Sequence, residues 1–364
     1  MSFFPTARAV LQDAVATLAF PGAVFGVLLT GRPPAIEGVG RFTYTPDAPA
    51  VAQQTIFDLA SVTKVMATAA MAMLLLERGQ YELDAPVASY LPEFIRHQPA
   101  NPAKDAITVR MLLDHSSGLP VYARLYETCR SKDAMLQACL RMPLESLPGT
   151  SAVYSDIGFI LLGHLLEILA GEPLDLFCHR EIFAPLGMEA TQFCPPQALH
   201  AAIPPTAESA FRRPRRIQGD VHDDNCWSMG GISGHAGLFA NAADVLRFAE
   251  CILNGGAPVF RSETVSIFAQ RQLQPPGSSR ALGWDTPSSP SSTGSFFSAQ
   301  SIGHLGYTGT SLWIDREKQL AVVLLTNRTF PGQAGEPVPN GIQQVRPRFH
   351  NAVMFDLGWA APHP

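Results

Sequence analysis

Lysine is scarce in this chain: four lysines stand against twenty-two arginines, and charged residues of both signs make up only 16%. A net charge of −5 excludes the positive excess that would hold nucleic acid or an anionic membrane surface. The six cysteines, Cys129, Cys139, Cys178, Cys194, Cys226 and Cys251, form no Cys-x-x-Cys pair and join no His-rich metal pattern. They read as reduced thiols, mostly buried, and no metal or cofactor is expected. The opening Met-Ser-Phe-Phe-Pro-Thr-Ala-Arg lacks the basic start, apolar core and small-residue cleavage site of a secretion signal, which predicts a cytoplasmic protein. Sparse charge with 46% apolar residues over 364 positions excludes disorder and supports one large domain or two intimate ones.

One of the four lysines stands in an unusual place. Residues 59–77 are strongly apolar, and before Glu77 their only charge is Lys64, three residues after Ser61. Positions i and i+3 share a helix face, so the Ser61 hydroxyl and Lys64 amine come within reach if a helix begins near Ser61. Burial should lower the pKa of such a lysine, and the positive end of the helix dipole pushes the same way, making it a base for an activated serine. Ser-x-x-Lys alone is a weak pattern. A snorkelling Lys64 behind a Ser61 N-cap satisfies it equally well. A membrane span is the poorer reading, because Ser, Thr and Lys crowd one end of the run and its neighbours look globular.

Helical spacing over 6–20 precedes a buried strand at 23–29, with a second strand near 38–44. From Ser61 to about residue 190 helices dominate, broken by Pro86, Pro92, Pro102, Gly118-Leu119-Pro120 and Pro148-Gly149. A helix over about 240–254 has Asn241 as its cap, segments 311–316 and 319–326 form a hairpin, and a last helix runs over about 343–357. These parts predict an α+β chain. Residues 1–60 and about 240–364 build an antiparallel sheet flanked by helices, about 61–239 form a mostly helical domain, and the active site lies between them. Residues 286–300, rich in Ser, Pro and Thr, read as a mobile loop, and no repeat is evident.

Two further segments strengthen the serine signal. Tyr154-Ser155-Asp156 sets a phenol at the entry to the apolar helix 157–169, where a nearby ammonium would lower its pKa and make it a base. Gly303-His304-Leu305-Gly306-Tyr307-Thr308-Gly309-Thr310 gives a glycine-rich strand edge whose N–H groups can approach a substrate oxygen. In order and spacing, Ser61-Val62-Thr63-Lys64, Tyr154-Ser155-Asp156 and His304-Leu305-Gly306 resemble the three motifs of the serine β-lactamase and penicillin-binding protein superfamily. The likeness is to its class C β-lactamase branch, with family VIII-type carboxylesterases. Segments 112–119, 230–239 and 324–327 also resemble that branch.

The resemblance implies the β-lactamase/transpeptidase-like fold and catalysis through an acyl-serine, with Ser61 as nucleophile and Lys64 and Tyr154 moving protons. It implies an oxyanion hole from the N–H groups of Ser61 and Tyr307, with His304, Gly306 and Asp156 contacting substrate. Two positions depart from the β-lactamase pattern. Asp156 replaces the usual asparagine and trades an amide donor for a carboxylate; His304 replaces the usual lysine and would carry only partial, pH-dependent charge. Both departures favour esterase-like hydrolysis of a small-molecule ester or amide over β-lactam turnover. β-Lactamase or D-alanyl-D-alanine peptidase activity is the alternative, and a catalytically silent binding protein on the same fold is a third reading. Oligomeric state stays open.

Other polar clusters read as structural. Arg212-Arg213-Pro214-Arg215-Arg216 is expected in a solvated loop, with contact to an anionic substrate as the lesser reading. His115 and Ser117 should fix a Gly-Leu-Pro turn through backbone hydrogen bonds. His222-Asp223-Asp224-Asn225 suits a structural loop better than a metal site, and His235 should support the wall of the active site.

Overall fold

The two chain ends meet in one antiparallel sheet. The computed structural model describes residues 2–96, 102–209, 212, 216–331 and 341–360. Strand β1 (Gly22–Leu29) pairs on one side with β2 (Ala35–Gly40) and on the other with β5 (Leu320–Thr326); β4 (Ser311–Asp315) and β3 (Ser301–Leu305) complete the order β2-β1-β5-β4-β3. Register sets Phe25 opposite Leu324 and His304 opposite Leu312. Both faces are covered, so the central strands are apolar throughout rather than alternating.

Alternation still decides which helix each strand residue meets. Phe25, Val27, Val322 and Leu324 pack with Leu11 of α1 (Pro5–Ala16) and with Val345, Phe349 and Val353 of α5 (Gly341–Asp356). Val24, Leu28, Val323 and Leu325 join the larger core, which holds α2 (Ala70–Glu77), α3 (Asp156–Ala170) and α4 (Ala242–Leu253). That core runs without interruption from the sheet into the helical region. The cap predicted from sequence is in place, with Asn241 Oδ1 accepting the Asp244 N–H at 2.9 Å; Ser155 Oγ caps α3 in the same way, accepting the Gly158 N–H at 3.0 Å.

Three local expectations shift. The second strand lies at Ala35–Gly40 rather than 38–44, ending where Gly40 adopts φ +74° and turns the chain back over Pro21. The stretch after Ser61 is no regular α-helix at first: a 3₁₀ turn, Ala60–Val62, leads through a π-helical segment, Lys64–Ala69, into α2. Such π segments recur at functional sites. The 286–300 loop is anchored, since Ser298 N–H and Oγ–H bond the Asp315 carboxylate at 2.7 and 2.6 Å and Ser295 N–H bonds Asn351 at 2.8 Å. The apolar run Val62–Leu75 is buried at every position, as the core helix of the fold rather than a span.

Candidate active site

Ser61 sits at the mouth of a cleft of about 610 Å³ between the helical region and β3. The turn that presents it is strained and tied down. Ala60 adopts φ +48°, costly for a residue with a Cβ, and buried Asp58 compensates by accepting the Ala60 N–H at 2.8 Å through Oδ1. The Thr308 and Thr310 hydroxyls donate to the carbonyls of Asp58 and Leu59, each at 2.8 Å, locking the nucleophile turn against the β3–β4 connection. Gly306 is required there, because a Cβ would lie 1.9 Å from Thr310 Oγ1 and 2.5 Å from the Leu59 carbonyl oxygen.

The structure brings together the three residues singled out by spacing. Lys64 Nζ donates to Ser61 Oγ at 3.0 Å, and the Tyr154 hydroxyl donates to the same oxygen at 2.7 Å. Lys64 is fully buried, and its other two protons go to Asp156 Oδ1 at 2.7 Å and the His235 carbonyl at 2.9 Å. The lysine does not snorkel. The Ser61 and Tyr307 N–H groups have no protein acceptor among the described residues, and both residues line the cleft, as do His304, Gly306 and Asp156.

The charge states differ from expectation. Burial does press the Lys64 pKa down, but Asp156 and Tyr154 together more than offset it, and the net shift is upward. Tyr154 moves up too, to about 12: burial and the Asp156 charge raise it, and Lys64 offsets them only in part. The resting site therefore holds an ammonium and a neutral phenol. Asp156 acts on Lys64 as a counter-ion.

His304 is likewise uncharged rather than partly charged. Burial, reinforced by Lys64 and Arg280, drives its pKa well below 6.5. Its Nδ1–H donates to the Leu305 carbonyl at 2.8 Å, which leaves Nε2 as a buried acceptor without a protein partner among the described residues. His115 accepts the Ser155 N–H on Nδ1 at 3.0 Å and lies 4.7 Å from the Tyr154 ring, so it holds the tyrosine segment as its turn role predicted. Ser117 Oγ accepts the Leu119 N–H at 3.4 Å in the same turn.

Several wall residues escaped the sequence reading. His222, Asp223 and Asp224, expected in a structural loop, line the cleft. Arg212 is buried, not solvated: it donates to the carbonyls of Val221 at 2.6 Å and His222 at 3.0 Å and pairs with Asp224. Arg216 is exposed, and residues 213–215 lie outside the described residues. His235 fills its expected supporting role, with Nε2 2.8 Å from Asp223 Oδ1 and Nδ1 2.8 Å from Ser233 Oγ. Arg280 reaches over the Tyr154 ring at 5.5 Å, and Arg346 comes in from α5. A signal for Arg346 was present as the sole charge among the core-facing positions Ile342, Val345, Phe349 and Val353. Five of the cysteines are buried and Cys194 is exposed; all six are free. Among the described residues no group of three or more His, Cys, Asp or Glu is placed to hold a metal ion.

Comparisons with known proteins agree on one family. The Beta-lactamase family profile matches residues 7–345. The chain is 34% identical over 347 residues to an N-acetylmuramyl-L-alanine amidase of Bacillus subtilis, covering 85% of this chain and 77% of the relative. It is 34% identical over 305 residues to a putative D-alanyl-D-alanine carboxypeptidase of Escherichia coli, covering 75% and 69%. In fold it is similar to EstCE1, a hydrolase with promiscuous acyltransferase activity, with TM-score 0.76 at 21% identity over 96% and 98% of the two chains. A class C beta lactamase from Rhodobacter sphaeroides gives TM-score 0.70 at 24% identity over 97% and 98%. With a Ser61–Lys64–Tyr154 cluster opening on a cleft of an α+β fold of this kind, the chain belongs to the beta-lactamase family of serine hydrolases.

Proposed function

We propose that this chain hydrolyses a small amide or ester through an acyl-Ser61 intermediate, and that its substrate carries a carboxylate on the leaving side. The observation that carries the second half is Arg346. The residue is 6% exposed and lines the cleft; its guanidinium donates to the Gly306 and Thr310 carbonyls at 2.9 and 2.7 Å and has no carboxylate partner among the described residues. Burial lowers its pKa to about 9, so it is still charged at neutral pH. A buried cation without a counter-ion is costly, and a bound carboxylate relieves that cost. Arg280, 3.6 Å from Asp285, adds a second guanidinium beside Tyr154.

The chemistry follows from the resting charges. Ser61 accepts hydrogen bonds from both Lys64 and Tyr154, so a proton must leave the cluster before either can act as base. Lys64 Nζ releases one to solvent; the neutral amine then takes the Ser61 proton as Oγ bonds to the substrate carbonyl carbon. The oxyanion is held by the Ser61 and Tyr307 N–H groups. Tyr154 passes a proton to the leaving group and is reprotonated by the Lys64 ammonium; in deacylation water attacks the acyl carbon and gives a proton to the same pair, which returns one to Ser61 Oγ as the acyl group departs as a carboxylic acid.

The activities named for the two relatives, an amidase and a putative carboxypeptidase, support amide cleavage. Esterase activity is the second reading. It is favoured by Asp156, which has no N–H to offer a substrate amide, and by the neutral His304, which exerts no charge on a carboxylate. Fluorophosphonate labelling read by mass spectrometry tests the nucleophile, and an adduct anywhere but Ser61 overturns it. Matched substrates with and without a leaving-group carboxylate test the rest. Arg346→Met is expected to cut the preference for the carboxylate form by about tenfold to a hundredfold, as for a lost charge-assisted hydrogen bond; an unchanged preference returns the reading to uncharged esters.

A further inference from the structure

The wall opposite the guanidiniums carries charge of the other sign. Asp223 lies in the cleft with its side chain 23% exposed. Its Oδ1 accepts the Cys226 N–H at 2.7 Å and faces His235 Nε2 at 2.8 Å, while Oδ2 makes no hydrogen bond among the described residues. Burial alone would raise its pKa, but His235, the Cys226 N–H and His222 outweigh that and hold it well below the usual carboxylate range. The neighbouring carboxylates are committed: Asp156 to Lys64, Asp224 to Arg212, and Asp58 to two backbone N–H groups. Asp223 is thus ionised, with His235 beside Oδ1 and with Oδ2 left over.

A second observation points into the same space. His222 is 8% exposed, lines the cleft and stacks on the Tyr307 ring at 5.7 Å. Burial takes its pKa to about 4, so the ring is neutral, and its buried Nδ1 has no partner among the described residues. A buried polar atom of this kind calls for a partner, and a ligand group in the cleft can supply it.

We infer that Asp223 and His222 form a subsite for a substrate ammonium group, so that the cleft takes a zwitterion: an aminoacyl compound with a free amine on the acyl side and a carboxylate on the leaving side. The inference rests on the hydrolase reading above. Asp223 Oδ2 receives the ammonium in a charge-assisted hydrogen bond, with His222 Nδ1 available as a neutral acceptor. Tyr122 and Tyr126 also stand on the cleft wall.

The test uses alanyl-alanine dipeptides of all four configurations, each with a free and an N-acetylated amine. Two readouts are taken: kcat/KM, and competition against fluorophosphonate labelling of Ser61. The free-amine form of at least one isomer should be preferred by about tenfold to a hundredfold. In Asp223→Asn that ratio should fall toward one, and asparagine still caps the 224–228 helix, so loss of fold is not confounded with loss of charge; circular dichroism checks it. Labelling of Ser61 with equal or better turnover and competition by the acetylated forms overturns the subsite and leaves the hydrolase reading standing. An undiminished ratio in Asp223→Asn also overturns it. Failure of Ser61 to label at all, on folded protein, overturns the hydrolase reading and the subsite with it.

Discussion

Replacing Asp156 with asparagine removes one charge from the centre of the site and little else. Lys64 Nζ is fully buried, and among the described residues its only ionic partner is Asp156 Oδ1 at 2.7 Å, itself on a side chain 17% exposed. Removing one partner of a buried pair costs about 3–5 kcal/mol; asparagine keeps an oxygen near Nζ, so the loss is expected at the lower end, about 3 kcal/mol. The pH dependence carries the sign. In the wild type the Lys64 pKa is raised above its unfolded value, so its stabilisation is full below about pH 10.4 and is lost as pH rises through the folded value. In the variant, burial acts without the carboxylate and the folded pKa falls below the unfolded one. Its deficit is then largest at low pH and shrinks as pH rises toward about 10.4. Urea denaturation of both proteins across pH 6–10 reads the difference directly. The rising limb of kcat/KM against pH should also move to lower pH, because neutral Lys64 becomes available sooner. A stability loss under about 1 kcal/mol together with an unmoved limb would refute the counter-ion role of Asp156.

Tyr154→Phe deletes the proton route at 2.7 Å from Ser61 and is expected to lower kcat by about 10²–10⁴-fold with an unchanged circular dichroism spectrum; near-normal ester turnover removes Tyr154 from the mechanism. Gly306→Ala forces its Cβ against Thr310 Oγ1 and the Leu59 carbonyl, displacing the Tyr307 N–H, and should cost about 10²–10³-fold in kcat, measured with p-nitrophenyl butyrate beside a thermal melt. Acid should destabilise the fold from about pH 6.5 downward. His115, His222, His304 and His350 are buried and neutral, with pKa values depressed by burial to about 4 for His222 and His350, so each must gain a proton on unfolding. Asp58 and Asp114, raised by burial to about 6, act in the opposite sense, and two carboxyls do not balance four imidazoles. Denaturation midpoints that stay level between pH 7 and 5 would show those histidines to be charged in the fold.

Much of the frame was legible because it is written in local patterns. Period and the Asn241 cap located α3, α4 and the 311–326 hairpin to within a residue or two, since a cap and the apolar spacing act over a single turn. The Ser61–Lys64 pair was legible for the same reason. The π-helical segment after it was not, because it depends on partners far along the chain: Thr68 Oγ–H donates to the Gly234 carbonyl at 2.6 Å and Leu238 N–H to Thr63 Oγ1 at 3.1 Å. Arg212 looked solvated from its composition, yet packing against 221–224 buries it.

By itself the sequence determined the order of elements, the apolar helix that carries Ser61 and Lys64, and the presence of Tyr154 and the His304-Leu305-Gly306 edge, all set by short-range sterics and hydrophobic period. Only the tertiary structure decided the charges. Lys64 stays an ammonium because Asp156, ninety-two residues away, lies 2.7 Å from it; His304 is neutral because it is enclosed; and Arg346 and Asp223 face one cleft because the last helix and the 222–224 wall fold onto β3 and Ser61. Hydrophobic pattern is a property of neighbours in the chain, whereas a pKa depends on burial and on distances that only packing sets.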